Sequence, residues 1–95
     1  MLARHMNSKN GGISGNNIII VDDENNKYFQ SYEKVVAKYS PLMGTYEILD
    51  EEFTRTTTNY LGSFIKICSR QVATNMDEIK ALPNVKFVNR IGETA

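Results

Sequence analysis

The chain has one cysteine, one histidine, no tryptophan and two prolines in 95 residues. A single cysteine excludes a disulfide within the chain. Cys68 ends the apolar run Phe-Ile-Lys-Ile-Cys, where a free thiol behaves as a small buried hydrophobe. His5 stands alone in a Gly- and Asn-rich opening and, with Met6, looks like a remnant of cloning, so it carries no catalytic expectation. Charge of one sign is missing as well: 11 basic side chains balance 11 acidic ones. That balance gives no field for a phosphate backbone or an anionic bilayer, so neither nucleic acid nor membrane is the expected partner. No apolar stretch approaches the roughly 20 residues that span a bilayer, and the N-terminus lacks the apolar centre of a signal peptide. The chain reads as soluble.

What is present fits one small domain with one core. Met1 to Asn16, with Gly11, Gly12 and Gly15 close together and few apolar residues, reads as a mobile leader, and residues 17–95 as a single domain. Asn17 to Val21 is a β-branched run that predicts a central strand. Asp22 to Asn26 offer capping side chains. They precede Tyr28, Tyr32, Val35, Val36 and Tyr39, one stripe of a helix ended by Ser40-Pro41. Thr45 to Leu49 and Tyr60 to Cys68 read as two further strands, joined by a polar loop from Asp50 to Asn59. Val72, Met76 and Ile79 predict a short second helix within Gln71 to Ala81, and Val85 to Val88 a closing strand after Leu82-Pro83-Asn84.

Strand, helix, strand, strand, helix, strand is the split arrangement of a ferredoxin-like βαββαβ sandwich. Such an α+β fold has a four-stranded antiparallel sheet with both helices on one face. The other face would be left for a partner, by homodimerisation or by binding another protein.

No catalytic, cofactor or metal pattern is recognisable, so the chain is not expected to be an enzyme. Ile-Ile-Ile-Val-Asp-Asp-Glu resembles the opening of a response-regulator receiver domain. Too few residues follow for that fold, however, and no later strand ends in an aspartate. Asp22 and Asp23 therefore read as helix caps. Asp50, Glu51 and Glu52 lack an apolar neighbour that would shift a carboxyl pKa. The run Tyr-Leu-Gly-Ser-Phe-Ile-Lys-Ile lacks the basic and aromatic spacing of an RNA-recognition motif.

From Asn17 to Ala95 the chain resembles the propeptides of subtilisin-like serine proteases, which act as inhibitors and folding assistants. Asn-Ile-Ile-Ile-Val, the Tyr-bearing helix and above all Met-Asp-Glu-Ile-Lys-Ala-Leu-Pro-Asn-Val-Lys-Phe-Val carry the likeness. The resemblance implies a sheet face packed on the protease and a C-terminal tail lying in its cleft as a product. On this chain the binding residues would be Val88, Asn89, Arg90, Ile91, Gly92, Glu93, Thr94 and Ala95, with Ala95 in the primary specificity pocket. The family usually has acidic residues where Asn89 and Arg90 stand here. Such a tail binds by main-chain hydrogen bonds, and whatever binds only the native protease favours its folding. The alternative is a small ferredoxin-like regulatory module that dimerises through its sheet and binds a metabolite or protein.

Overall fold

The computed structural model describes residues 2–7 and 13–91. Six strands, β1 (Leu2–Asn7), β2 (Ile13–Val21), β3 (Lys27–Ser31), β4 (Lys34–Ser40), β5 (Thr45–Leu49) and β6 (Val85–Val88), form one sheet in sequence order. Two helices, α1 (Arg55–Ser69) and α2 (Met76–Lys80), lie between β5 and β6. The first five strands are an antiparallel meander. β6 joins parallel to β5, as a strand returning through a helical crossover must.

The fold is α+β, as the sequence implies, but it is not a four-stranded antiparallel ferredoxin-like sandwich. The body of the sheet is the five strands β2 to β6, with β1 added outside β2. The expected helix over Tyr28–Tyr39 is the hairpin of β3 and β4, with Ser31 opposite Lys34 and Tyr32-Glu33 as its two-residue turn. Tyr32 takes a positive φ of 58° there, a conformation usually supplied by Gly or Asn. One extra residue sits in β4: Phe29 faces Ala37 and Gln30 faces Val35, which leaves Val36 as a bulge. The bulge turns both Val36 and Ala37 into the core, and it also makes a strand imitate helical spacing.

The predicted strand over Tyr60–Cys68 and part of the predicted 50–59 loop are instead α1. Thr54 is its N-cap, its hydroxyl accepting from the Thr57 N–H at 3.1 Å. Thr58, Leu61 and Ile65 then fall on one buried stripe. Asp22 and Asp23 cap no helix. The Asp22 carboxylate accepts from the Glu24 and Asn26 N–H groups, both at 2.9 Å, and from the Tyr28 hydroxyl at 3.0 Å. It thereby closes the β2–β3 turn, where Asn25 has a φ of 68°. The expected leader, Met1 to Asn16, contains β1 and the start of β2. Leu2 to His5 pair with Val21 to Ile18. A strand at a sheet edge needs main-chain partners rather than apolar side chains, so its composition gave no signal.

Both helices lie on one face of the sheet. Ile19, Phe29, Ala37, Tyr46 and Ile48 meet Leu61, Phe64, Ile65 and Ile79 in the main core. Phe64 stacks on Phe29 at 5.9 Å and meets Tyr46 edge-on at 6.1 Å between ring centroids. Among the described residues no helix packs on the opposite face. There Tyr28, Leu49 and Ile91 form a smaller cluster edged by Ile20, Val35, Phe53 and Val88.

The segment linking the helices runs so close to α1 that a Cβ on Gly62 would lie 2.6 Å from the Ala73 carbonyl oxygen. Gly62→Ala should therefore cost about 1–3 kcal/mol, although alanine at an open helix position would be worth about 1 kcal/mol over glycine. Urea unfolding measures it. An unchanged or raised midpoint would show that the close approach is dispensable.

Candidate protein-binding surfaces

The stretch that leads to the expected binding residues 88–95 begins with a short helix, α2, that is capped on both sides of its first turn. Asn75 Oδ1 accepts from the Glu78 N–H at 2.9 Å, while Glu78 Oε1 accepts from the Thr74 N–H at 2.7 Å and the Thr74 hydroxyl at 2.6 Å. Those Thr74 hydrogen bonds hold the exposed Glu78 carboxyl below its ordinary pKa. The expected helix over Gln71–Ala81 is thus only Met76–Lys80, because Asn75 is spent as its cap. Leu82, Pro83 and Asn84 then turn the chain into β6.

The side chains of β6 alternate. Val85 and Phe87 edge the main core, and Lys80 Nζ lies 6.0 Å from the Phe87 ring centre. Val88 edges the opposite cluster, and Lys86 is exposed. Of the expected binding residues, Val88 is half-buried, Asn89 and Arg90 are exposed, and Ile91 is buried against Tyr28 and Leu49. Gly92, Glu93, Thr94 and Ala95 lie outside the described residues. The chain is therefore fastened to the open face of the sheet at Ile91.

Sequence reasoning missed a second surface, at the end of the sheet where β4 turns into β5. Leu42 is 97 % and Met43 75 % exposed. The tip is held in shape: Ser40 O accepts from the Met43 and Gly44 N–H groups, and Gly44 has a φ of 67°. The signal was Pro-Leu-Met-Gly between two strands, since large apolar residues in a four-residue turn cannot reach a core.

That tip is tied to α1 and to the segments on either side of α2 by a chain of polar groups. The Tyr46 hydroxyl lies 2.7 Å from Ser69 Oγ and 2.9 Å from the Ile65 carbonyl, and Ser69 Oγ donates to Gln71 Oε1 at 2.7 Å. Gln71 Nε2 donates to Asn84 Oδ1 at 2.9 Å. Asn84 Nδ2 donates to Gln71 Oε1 at 3.0 Å and to the Gly44 carbonyl at 2.9 Å. Burial pushes the Tyr46 phenol well above its ordinary pKa, with the Ser69 hydrogen bond pulling the other way, so the group stays a neutral donor. A phenol held this way is a structural staple rather than an acid or base. Between α1 and residues 72–74 lies a groove of about 190 Å³, lined by Asn59, Gly62, Ser63, Lys66 and Val72.

Among the described residues no group of three or more His, Cys, Asp or Glu could hold a metal ion. No helix there is long and apolar enough to cross a membrane. Cys68 is a half-buried free thiol on α1.

Residues 1–80 match a family described as a family of unknown function (DUF8033). The chain belongs to this family. The match takes in β1 to α2 and stops short of β6. No curated protein and no solved structure matches the chain.

Asn84 is the hinge of the polar chain, with partners in both the β4–β5 tip and the Gln71 segment. Asn84→Ala should lower stability by about 1–3 kcal/mol in urea unfolding, because it leaves the Gln71 amide and the Gly44 carbonyl short of a partner. A loss well below 0.5 kcal/mol would mean that water replaces the asparagine without penalty.

Proposed function

We propose that the chain is a non-catalytic protein-binding domain that works through its open sheet face and the segment 88–95. The observation that carries this reading is the course of the chain after β6. Ile91 packs on Tyr28 and Leu49, which brings the last described residue onto the face that, among the described residues, no helix covers. A tail and an apolar face side by side can engage one partner together, the face by burial and the tail by main-chain hydrogen bonds.

The narrower reading names the partner as a subtilisin-like serine protease, with the chain as its propeptide-type inhibitor and folding assistant. Its support is local. The stretch that carries the resemblance folds as α2, a Leu-Pro-Asn turn and β6, in the order the likeness requires. The ferredoxin-like sheet that such propeptides use is replaced here by a meander with a parallel closing strand, so the reading rests on α2, β6 and the tail. Family members' acidic groups after the closing strand have no counterpart in Asn89 and Arg90.

The test is inhibition of a generic subtilisin by the full chain and by a version ending at Ile91, which keeps the buried anchor. The expected result is inhibition at micromolar concentration that weakens about 100-fold or more on truncation, the equivalent of a few main-chain hydrogen bonds. No inhibition by the full chain would remove the protease reading, and equal inhibition by both versions would remove the tail from it.

A further inference from the structure

Among the described residues the outer edge of β6 has a defined set of free main-chain groups. Tyr46 N–H donates to the Asn84 carbonyl at 2.8 Å and Asp50 N–H to the Val88 carbonyl at 2.8 Å. In a parallel ladder with Tyr46 opposite Val85 and Ile48 opposite Phe87, these bonds commit the main-chain groups of Lys86 and Val88 to β5. Those of Phe87 must then point the other way. Among the described residues no strand pairs with that side of β6, which is the last strand of the sheet. The strand itself contains no proline or glycine, and its ladder with β5 runs without a bulge. Beyond its four-residue length and the single charge of Lys86, the devices that usually blunt a sheet edge are missing.

We propose that the occupant of this edge is β6 of a second copy, antiparallel across a two-fold axis at Phe87. Charge selects the register. An axis at Lys86 would set the two Lys86 side chains opposite each other, and an axis at Val88 would set Lys86 opposite Arg90 of the partner subunit. Like charges directly opposed on adjacent strands are destabilising. An axis at Phe87 sets Lys86 opposite Val88 of the partner subunit and Arg90 opposite Asn84 of the partner subunit, with no like-charge pair. The same axis makes the two Phe87 residues exchange both N–H···O=C bonds, using the outward groups that the β5 ladder leaves over. The contact is isologous, so it closes at two chains and does not propagate a fibre. It uses the strand edge and not the open face, and shares only residues 88–90 with the surface proposed above.

The experiment is sedimentation equilibrium of the full chain beside a version carrying N-methyl-Phe87, prepared by ligating a synthetic 68–95 segment at Cys68. The methyl group removes the outward donor and blocks the edge, while the Phe87 side chain and the β5 ladder are kept. The expected result is a dimer for the unmodified chain and dissociation at least about tenfold easier for the methylated one, with the same circular dichroism. A monomer at every concentration up to hundreds of micromolar overturns the proposal, as does a dimer that methylation leaves intact. Should the methylated chain not fold, the unmodified dimer decides alone. Isotope-filtered NMR on a mixed labelled sample should show a contact between the Lys86 Hα and that of the partner's Val88, the close pair of this register. A dimer without it has formed elsewhere.

Discussion

One helix of fifteen residues and one of five have to close a face of a six-stranded sheet, and most other features of the molecule are consequences of that shortage. A two-layer fold needs apolar cover on each buried surface, and a chain of 95 residues has little left once the sheet is built. Phe64 does the central work, contacting Phe29 and Tyr46 from above. The bulge at Val36 puts two consecutive β4 residues under the helices, which gains a buried side chain without a longer strand. Among the described residues the opposite face is covered by Phe53 and Ile91, each from an irregular segment. An exposed face on an antiparallel sheet is tolerable, but here it carries Ile20, Val35 and Val88, which a solvated face would replace with polar groups.

Because α2 is only five residues long, it cannot be held by its own hydrogen bonds. Ile79 anchors it in the core, the Thr74–Glu78 and Asn75–Glu78 bonds fix its start, and the Gln71–Asn84 amide pair fixes the chain on either side. The same amide pair reaches Gly44, so the apolar tip at Leu42 and Met43 is rigid although it touches no core. Such a tip loses little conformational entropy on meeting a partner. The exposed Lys34–Glu51 pair, with Nζ 2.6 Å from the carboxylate, contributes little in comparison, since solvent screens both ends.

The elements legible in the sequence were those with a single consistent period. Asn17 to Val21, Thr45 to Leu49 and Val85 to Val88 are strands as read, and Met76 to Lys80 lies within its predicted helix. Tyr28 to Tyr39 was misread for a definite reason. A β-bulge at Val36 and a two-residue turn at Tyr32 each shift the alternation by one step, and the sum mimics a 3.6-residue repeat. Tyr60 to Cys68 failed the opposite way: its aromatic and β-branched residues favour a strand locally, while the Thr54 cap and the stripe through Thr58, Leu61 and Ile65 decide for a helix. Of the expected binding residues, Ile91 could not be told from a tail residue, because the Tyr28–Leu49 cluster it covers exists only once β3 and β5 lie in one sheet. The tip at Leu42 and Met43 was legible in principle from its flanking Pro41 and Gly44.

The two ends of the sheet are different problems. At β1 the sheet is closed by a strand that pairs residue for residue with the end of β2 and then slips between His5 and Asn7, an irregularity that twists an edge away from new partners. At β6 nothing comparable occurs, and the ladder with β5 runs without a shift. Extending β6 would demand more of the Leu-Pro-Asn turn, whose Asn84 is already committed to Gln71, Gly44 and the Tyr46 N–H. The strand is thus kept at four residues by the network that precedes it. Shortness is the protection this edge has, and it limits the edge to partners that match a few main-chain groups around Phe87.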